Sequence, residues 1–524
     1  MKPTRIAYPF LVSIYPVLTL AAANVDYVTA AGLAFALLAF LAVAALSWFV
    51  SGRLTDDRHR RGLFALLGVA FFCFYGFFER SLGSADEVWP GARTALTLGL
   101  WAVVCLATAG LFFRLRKPGE RTSHYLNVCA LIFLAFPLLQ LGTGLAATSG
   151  APPGLNVPAA GPLRGPRRDI YLIVLDKYTG TRSLAANYAF DNRPFETWLR
   201  DKGFFVPAHP RANYSQTKVA LPSMLNWMYM DSLASALGPG DDARAILRGL
   251  TEHNLAWRFL HGQGYRFVFF PSAYFLTARN SNADLQLPEP GEPSIGTTVA
   301  WFSSTPVPDL LRLGCDLSAC GAGDGRWFPY EPESAERMEW KFAQLAALPE
   351  RKEPIFVFAH LLLPHEPYQF NADCTRREPF WPLDETGEQA DAVGVAYSAQ
   401  IACTNRMLAR LIDTLLSAPG PQPIIILQSD HGHARIVKNA IYSMTNPLAE
   451  QPPAVVDERM DVFAAYFLPD DGNRALYDTI TPINVLPIVF NHYFGTRIPK
   501  LPDRMFWSDY LDPLRLTHLP GMEE

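Results

Sequence analysis

An aspartate and two histidines crowd into Asp430-His431-Gly432-His433, directly after the apolar run Pro423-Ile-Ile-Ile-Leu-Gln-Ser429. The run reads as a buried strand. It delivers a carboxylate and an imidazole to its carboxyl edge, where open α/β sheets bind ligands, and Gly432 is expected to let the chain turn sharply there. Side by side these groups suit a cation, although a strand-end turn with a hydrogen-bonded aspartate explains them equally well when they are taken alone. A matching set elsewhere favours chemistry. Asp169-Ile-Tyr-Leu-Ile-Val-Leu-Asp176 is a second buried strand ending in a carboxylate. The stretch Phe358-Ala-His-Leu-Leu-Leu-Pro-His-Glu-Pro-Tyr368 sets His360 and His365 near a third strand end, in a chain with only 11 histidines. Asn213-Tyr-Ser-Gln-Thr-Lys-Val-Ala-Leu-Pro-Ser-Met-Leu-Asn226 opens a helix that Ser215 or Thr217 would cap, and its free N–H groups would cradle an anion.

Asp176, Thr217, Asp430 and His431 thus form a set of oxygen and nitrogen donors suited to a borderline divalent ion such as zinc or manganese. Such an ion lowers the pKa of a bound hydroxyl by several units. Thr217 then reads as a nucleophile rather than a cap.

The elements that must position these groups alternate as in a doubly wound, mostly parallel sheet. Helices are expected at Phe195 to Lys202, Ala243 to Gly262, Ala335 to Ala347, Ala392 to Leu416 and Thr481 to Phe494. Strands are expected at Gly203 to Val206, Arg266 to Phe270, Ile355 to Leu363 and Val462 to Leu468. Before them, Thr148 to Arg168 is a Pro/Gly-rich stretch that reads as an exposed, semi-stiff linker.

Upstream lie five apolar stretches: Ile6 to Asn24, Val28 to Val50, Gly62 to Phe78, Ala95 to Phe113 and Leu126 to Ala147. Each approaches the ~20 residues a helix needs to cross a bilayer, and the third is the shortest. If all five cross, one side receives Lys2, Arg5, Arg53, Arg58, Arg60, Arg61, Arg114, Arg116, Lys117 and Arg121, while the other has only Arg80 and Arg93. The positive-inside rule puts the first side in the cytoplasm and the long carboxyl-terminal part outside. The expected organisation is a five-helix transmembrane domain over 1–147, a linker over 148–168 and an extracytoplasmic catalytic domain over 169–524.

Cysteine usage fits. Cys73, Cys105 and Cys129 fall in the spans, whereas Cys315 with Cys320 and Cys374 with Cys403 are expected to pair in an oxidising compartment. A net charge of −4 gives no reason to expect nucleic acid.

Leu175-Asp176, Thr217-x-x-x-x-Pro222-x-Met224, His360-x-x-x-x-His365-x-Pro367 and Ser429-Asp430-His431-Gly432 resemble, in order and spacing, the alkaline phosphatase superfamily with its sulfatase-like fold. The likeness extends to its membrane-anchored members, the phosphoethanolamine transferases and lipoteichoic acid synthases, which also carry five spans. It implies a phospho-threonine at Thr217 and a metal on Asp176, Thr217, Asp430 and His431. It further implies that His365 and His360 hold the substrate phosphoryl group or a second metal. From their places in the chain, His365 is expected as acid for the leaving oxygen and His433 as a further substrate-binding candidate, while Lys177 and Lys218 read equally as residues that steer phosphate and as ordinary surface lysines. The implied reaction moves a phospho-head group, such as phosphoethanolamine or phosphoglycerol, from a membrane phospholipid donor to an envelope glycan or lipid acceptor. Its setting would be a bacterial inner membrane with the catalytic domain periplasmic, and a monomer is expected.

Three departures bear on which head group moves: Asp176 where those transferases usually have glutamate, no cysteines flanking Thr217, and His433 where an acid often stands. A phosphodiesterase or sulfatase-like hydrolase using water, and a catalytically inactive envelope-assembly protein, are the alternatives. Sulfate ester hydrolysis is discounted, because Ala220-Leu-Pro-Ser-Met224 lacks both the Cys/Ser and the Arg of a (Cys/Ser)-x-Pro-x-Arg nucleophile motif.

Overall fold

The computed structural model describes residues 5–25, 28, 30–81, 93–114, 119–147, 155–236, 243–287, 301–302, 305–307, 309–310, 334–351, 353–380, 390–434, 448–510 and 512–520. It divides into two compact units, Met1–Ala147 with Gly291–Pro332, and Thr148–Pro290 with Glu333–Glu524.

The first unit holds the apolar helices α1 (Tyr8–Ala23), α2 (Ala30–Leu54), α3 (Arg58–Ser81), α4 (Arg93–Arg114) and α5 (Glu120–Ala147). Ala30–Leu54, Arg58–Glu79 and Glu120–Thr143 are long and apolar enough to cross a membrane, while Tyr8–Ala23 and Ala95–Leu111 are shorter. The stretch expected to be shortest therefore belongs to a long helix, because Arg58 and its neighbours continue it toward the basic turn. Phe35, Leu38, Leu46 and Phe49 on α2, and Leu131, Ile132, Phe133 and Phe136 on α5, are exposed, as side chains facing lipid must be. The first turn of α1 has no side-chain cap of its own. Asn127 of α5 supplies it: Oδ1 accepts from the amides of Ala7 (3.0 Å) and Tyr8 (2.9 Å), and Nδ2 donates to the Arg5 carbonyl (2.6 Å). Those amides would otherwise be orphaned.

The second unit begins with β1 (Ile170–Leu175), α6 (Thr181–Tyr188), α7 (Arg193–Asp201), α8 (Thr217–Asn226), α9 (Met230–Ala236), α10 (Ala243–Glu252) and α11 (Leu255–Gly262). It continues with β2 (Arg266–Phe270), β3 (Leu285–Gln286), α12 (Ala335–Ala347), β4 (Ile355–Leu361), β5 (Tyr368–Phe370), β6 (Arg376–Phe380), α13 (Ala390–Ser417) and β7 (Ile424–Ser429). The last elements are α14 (Pro453–Met460), β8 (Ala464–Phe467), α15 (Pro482–Phe494), β9 (Phe506–Ser508) and β10 (Leu516–His518).

The central sheet has the order β3-β2-β4-β1-β7-β8. It is parallel except for β8, which runs against β7. Every residue of β1, β4 and β7 is buried, as expected of strands covered on both faces. Tyr171, Ile173 and Leu175 pack one face with α12 and α13. Ile170, Leu172 and Val174 pack the other with α8, α11 and α15.

Some expectations shift. Gly203 to Val206 forms no strand beyond a single bridge from Phe205 to Tyr466. The helix read over Ala243 to Gly262 is two, because Asn254 caps a new start by accepting from Trp257 N. The described part of the linker is tied down: Gly161 and Arg164 donate to the carbonyls of Phe494 and Tyr493, and Arg258 reaches the Leu155 carbonyl. Cys374 and Cys403 form a disulfide. Cys315 and Cys320 lie outside the described residues.

Candidate active site

Strand register alone brings the two carboxylates together. Leu175 of β1 lies level with Ser429 of β7 on one side and Leu361 of β4 on the other. The next residues, Asp176 and Asp430, thus leave the sheet on adjacent strands, spaced by the ~4.8 Å of a ladder. Asp176 is pinned by its amide to the Leu361 carbonyl at 3.0 Å. Ser429 Oγ accepts from Tyr178 N (3.0 Å) and donates to the His431 carbonyl (2.8 Å), which fixes the turn carrying Asp430 and His431.

Gly432 has a reason that differs from the expected sharp turn. Its φ is not left-handed. A Cβ there would meet Glu458 O at 2.1 Å and Asp461 O at 2.8 Å, so the loop needs glycine to press against the end of α14.

Thr217 approaches from α8. The helix is capped by Gln216 in extended conformation without a side-chain bond, and Thr217 is the first helical residue rather than the cap. Its hydroxyl is free to face the loop. Oγ1 donates to Asp430 Oδ2 at 2.6 Å and lies 3.0 Å from His431 Nε2. The Thr217 and Lys218 amides precede the first intrahelical bonds, made by Val219 and Ala220 to Gln216 O, and so sit where a helix start offers N–H groups to an anion.

Two carboxylates are crowded together around these atoms. Asp176, Asp430 and His431 place one ligand atom each within 4.8 Å of one another, all buried. Burial and the Asp176 charge push the Asp430 carboxyl up to about 7, with His360, Thr217 and Arg459 pulling the other way. Burial also opposes ionisation of Asp176, yet His365, His360 and His431 hold it below the usual carboxylate range. Its Oδ1 is buried without a hydrogen-bond partner among the described residues. His431 Nδ1 lies 3.0 Å from the Gly432 carbonyl, to which it must donate, leaving an Nε2 lone pair toward Thr217. Burial and Arg459 keep that imidazole neutral, the form that binds metal. An orphaned carboxylate oxygen, a second carboxylate that cannot ionise freely beside it, and an oriented lone pair together fit one divalent cation.

The remaining candidates separate. His365 stands at the rim with its side chain 29% exposed, Nδ1 2.6 Å from the Glu366 carbonyl and its own amide bonded to the Asp176 carbonyl. The His360 side chain is fully enclosed, Nδ1 meets Thr277 Oγ1 at 3.0 Å, and Nε2 lies 3.5 Å from Asp176 Oδ2, so it backs the carboxylate. Lys177 Nζ is held 2.9 and 3.0 Å from the two oxygens of the Glu366 carboxylate. His433 is wholly buried, with Nδ1 at 2.8 Å from Tyr188 OH, Nε2 at 2.8 Å from Tyr368 OH, and its ring against Tyr397. It holds the loop and has no nitrogen left for a ligand. Lys218 Nζ donates to the Tyr510 carbonyl at 2.8 Å and lies over the Tyr510 ring. Burial, then Arg244, lowers its pKa to about 8.

Arg459, at the end of α14, is the residue that sequence reasoning missed. Its buried guanidinium donates to Ser215 O (2.8 Å), Gly432 O (2.9 Å) and His433 O (2.7 Å), and Nη2 reaches His431 Nε2 at 3.3 Å. One planar fork thus joins the approach to Thr217 to the Asp430-His431 loop. No local pattern announces it, since an Arg closing a polar helix normally reads as a solvated charge.

The sequence profile of the Sulfatase family matches residues 199–451, a range that includes Thr217, His365, Asp430 and His431 and begins after Asp176. No curated protein matches the chain. Among solved structures, the C-terminal periplasmic domain of EptC from Escherichia coli aligns at 12% identity over 70% of this chain and 99% of that one, with a TM-score of 0.42. The soluble domain of lipooligosaccharide phosphoethanolamine transferase A from Neisseria meningitidis aligns at 12% identity over 65% and 96%, TM-score 0.39. The integral membrane form of that transferase aligns at 12% identity over 94% and 99%, TM-score 0.42. Behind its apolar amino-terminal helices, this chain carries an α/β domain built on a mostly parallel sheet, and residues 199–451 are similar to the Sulfatase family.

Proposed function

We propose that this chain is a metal-dependent transferase that moves a phospho-head group from a membrane phospholipid to an envelope glycan or lipid, through a phosphorylated Thr217. The observation that carries the reading is the convergence of Thr217 Oγ1 with Asp430 Oδ2 at 2.6 Å and His431 Nε2 at 3.0 Å, beside the orphaned Asp176 Oδ1. Asp176, Thr217, Asp430 and His431 would hold a zinc or manganese ion. When bound, the ion would supply positive charge that favours the threonine alkoxide and offsets charge on the phosphoryl oxygens.

Thr217 Oγ1 gives its proton to Asp430 Oδ2, to which it is hydrogen-bonded at 2.6 Å, and bonds to phosphorus. The bond from phosphorus to the donor's glyceryl oxygen breaks, and His365, the exposed imidazole at the rim, protonates that oxygen. The Thr217 and Lys218 amides take up phosphoryl oxygens. An acceptor hydroxyl then gives its proton to His365 and bonds to phosphorus, and the Thr217 oxygen leaves and takes back the proton held by Asp430.

The five helices α1–α5 would all cross a bacterial inner membrane with residues 169–524 on the periplasmic side. The disulfide between Cys374 and Cys403 supports an oxidising compartment. Intact-mass analysis of the full-length protein quenched during turnover tests the reaction. A covalent addition on Thr217 with the mass of the head group is expected, and its absence under turnover removes the covalent route.

A further inference from the structure

Between β3 and α12 the chain leaves the α/β unit, since Gly291–Pro332 groups with the apolar helices. Its described residues are seated there by specific contacts. Trp301 is buried among Val17, Ala21, Ala36 and Phe40, and its Nε1 donates to the Val17 carbonyl at 3.2 Å. The Phe302 ring lies 5.4 Å from that of Phe40 and 6.5 Å from that of Phe35. Thr305 turns the segment by donating its amide and hydroxyl to the Phe302 carbonyl. Asp309 is buried and accepts from the hydroxyl of Tyr75.

These contacts share one end of the bundle. Val17 and Ala21 belong to the last two turns of α1, Phe35, Ala36 and Phe40 to the first three turns of α2, and Tyr75 to the last two turns of α3. The opposite end is the α2–α3 turn with Arg53, Arg58, Arg60 and Arg61, which the charge rule assigns to the cytoplasm. A segment whose flanks in sequence lie in the α/β unit therefore meets the helices at their outward end. That agreement is independent of counting spans.

The chemistry suits that depth. Tryptophan combines a large apolar body with one N–H that needs an acceptor, and here a helix carbonyl supplies it. A carboxylate beside apolar helices is costly without a donor, and Tyr75 provides one.

We propose that Trp301, Phe302 and Asp309 form a second membrane-association site, an aromatic plug whose partner is the outward end of α1–α3. It would attach residues 333–524 to the membrane independently of the linker. The inference extends beyond the proposed reaction, and its test reads membrane retention rather than turnover.

A specific protease site inserted between Gly150 and Ala151 of the full-length protein allows the linker to be cut in native membranes. After cleavage and a high-salt wash, the 151–524 fragment should stay with the wild-type membranes. The triple variant Trp301→Ala, Phe302→Ala, Asp309→Ala should release most of it. Release from the wild type, or retention in the variant, overturns the proposal. A second arm keeps Trp301 and Phe302 intact: Tyr75→Cys with Asp309→Cys, in a chain with Cys73, Cys105 and Cys129 changed to alanine. A short bismaleimide should join the two fragments on a denaturing gel, and failure to join them overturns the seating.

Discussion

Two buried polar clusters share the loop 430–434, and they differ in one respect. Around His433, each ring nitrogen has a tyrosine hydroxyl at 2.8 Å, the amide reaches Thr179 Oγ1 at 2.6 Å, and Glu458 takes Tyr188 and the Ala434 amide. Around His431, two carboxylates crowd together, one oxygen of Asp176 has no partner among the described residues, and an imidazole lone pair points at a hydroxyl. Both clusters are equally buried. The first matches each ring nitrogen with a hydroxyl, whereas the second leaves a buried carboxylate oxygen unmatched among the described residues. Burial of an ionisable group therefore says little about function, and whether its hydrogen-bonding capacity is met says a great deal.

That contrast can be broken at four points. Thr217→Ala should lower turnover of a phosphodiester probe by about 10⁴-fold or more and abolish the mass adduct, with thermal unfolding unchanged. Thr217→Ser should keep partial activity, because the attacking oxygen is retained. A Thr217→Ala protein that still acquires the adduct would move the nucleophile elsewhere.

His431→Ala should come next, with turnover down by at least about 10³-fold and bound metal lost by elemental analysis. Chelation of the wild type should reproduce the loss, and added zinc or manganese should restore it in the wild type alone. Retention of stoichiometric metal in the variant would separate His431 from the ion.

Arg459→Lys sharpens the contrast from outside the ligand set. Lysine cannot span three carbonyls in a plane, so stability should fall by about 2–4 kcal/mol and kcat by about 10–100-fold, with KM nearly constant. Recovery of the wild-type kcat once the rate is divided by the folded fraction would point to general unfolding rather than misplacement of Thr217.

His433→Phe should have the smallest effect on chemistry. Two tyrosine hydroxyls lose a partner, which costs about 2 kcal/mol in denaturant unfolding, while metal content and kcat stay within a few-fold of the wild type. Lost metal in this variant would erase the distinction between the two clusters.

How much of the site was legible depended on how local its signal was. Asp176 and Asp430 could be placed because a run of buried β-branched and aliphatic residues has one end, and a carboxylate there contradicts the burial pattern. Thr217 was legible as a helix start, but its role as first helical residue rather than cap follows from the Gln216 backbone. Ser215 is held by β9, donating its amide to Phe506 O and accepting from the Ser508 amide, residues nearly three hundred positions away in the chain. His433 and Lys177 have site residues as neighbours in sequence, while their partners, Tyr188, Tyr368 and Glu366, come from other elements. Arg459 was invisible for the same reason.

The amino-acid sequence by itself determined the apolar helices, the parallel strands, the donor types and the edge of the sheet to which they are delivered. Hydrophobic periodicity and strand ends are properties of neighbouring residues, and they survive without any fold. Only tertiary structure decided which imidazole turns a lone pair toward the threonine hydroxyl, which lysine is neutralised and which glycine is required by a close approach. Those outcomes turn on distances of a few tenths of an ångström between groups far apart in the chain. Packing alone sets such distances.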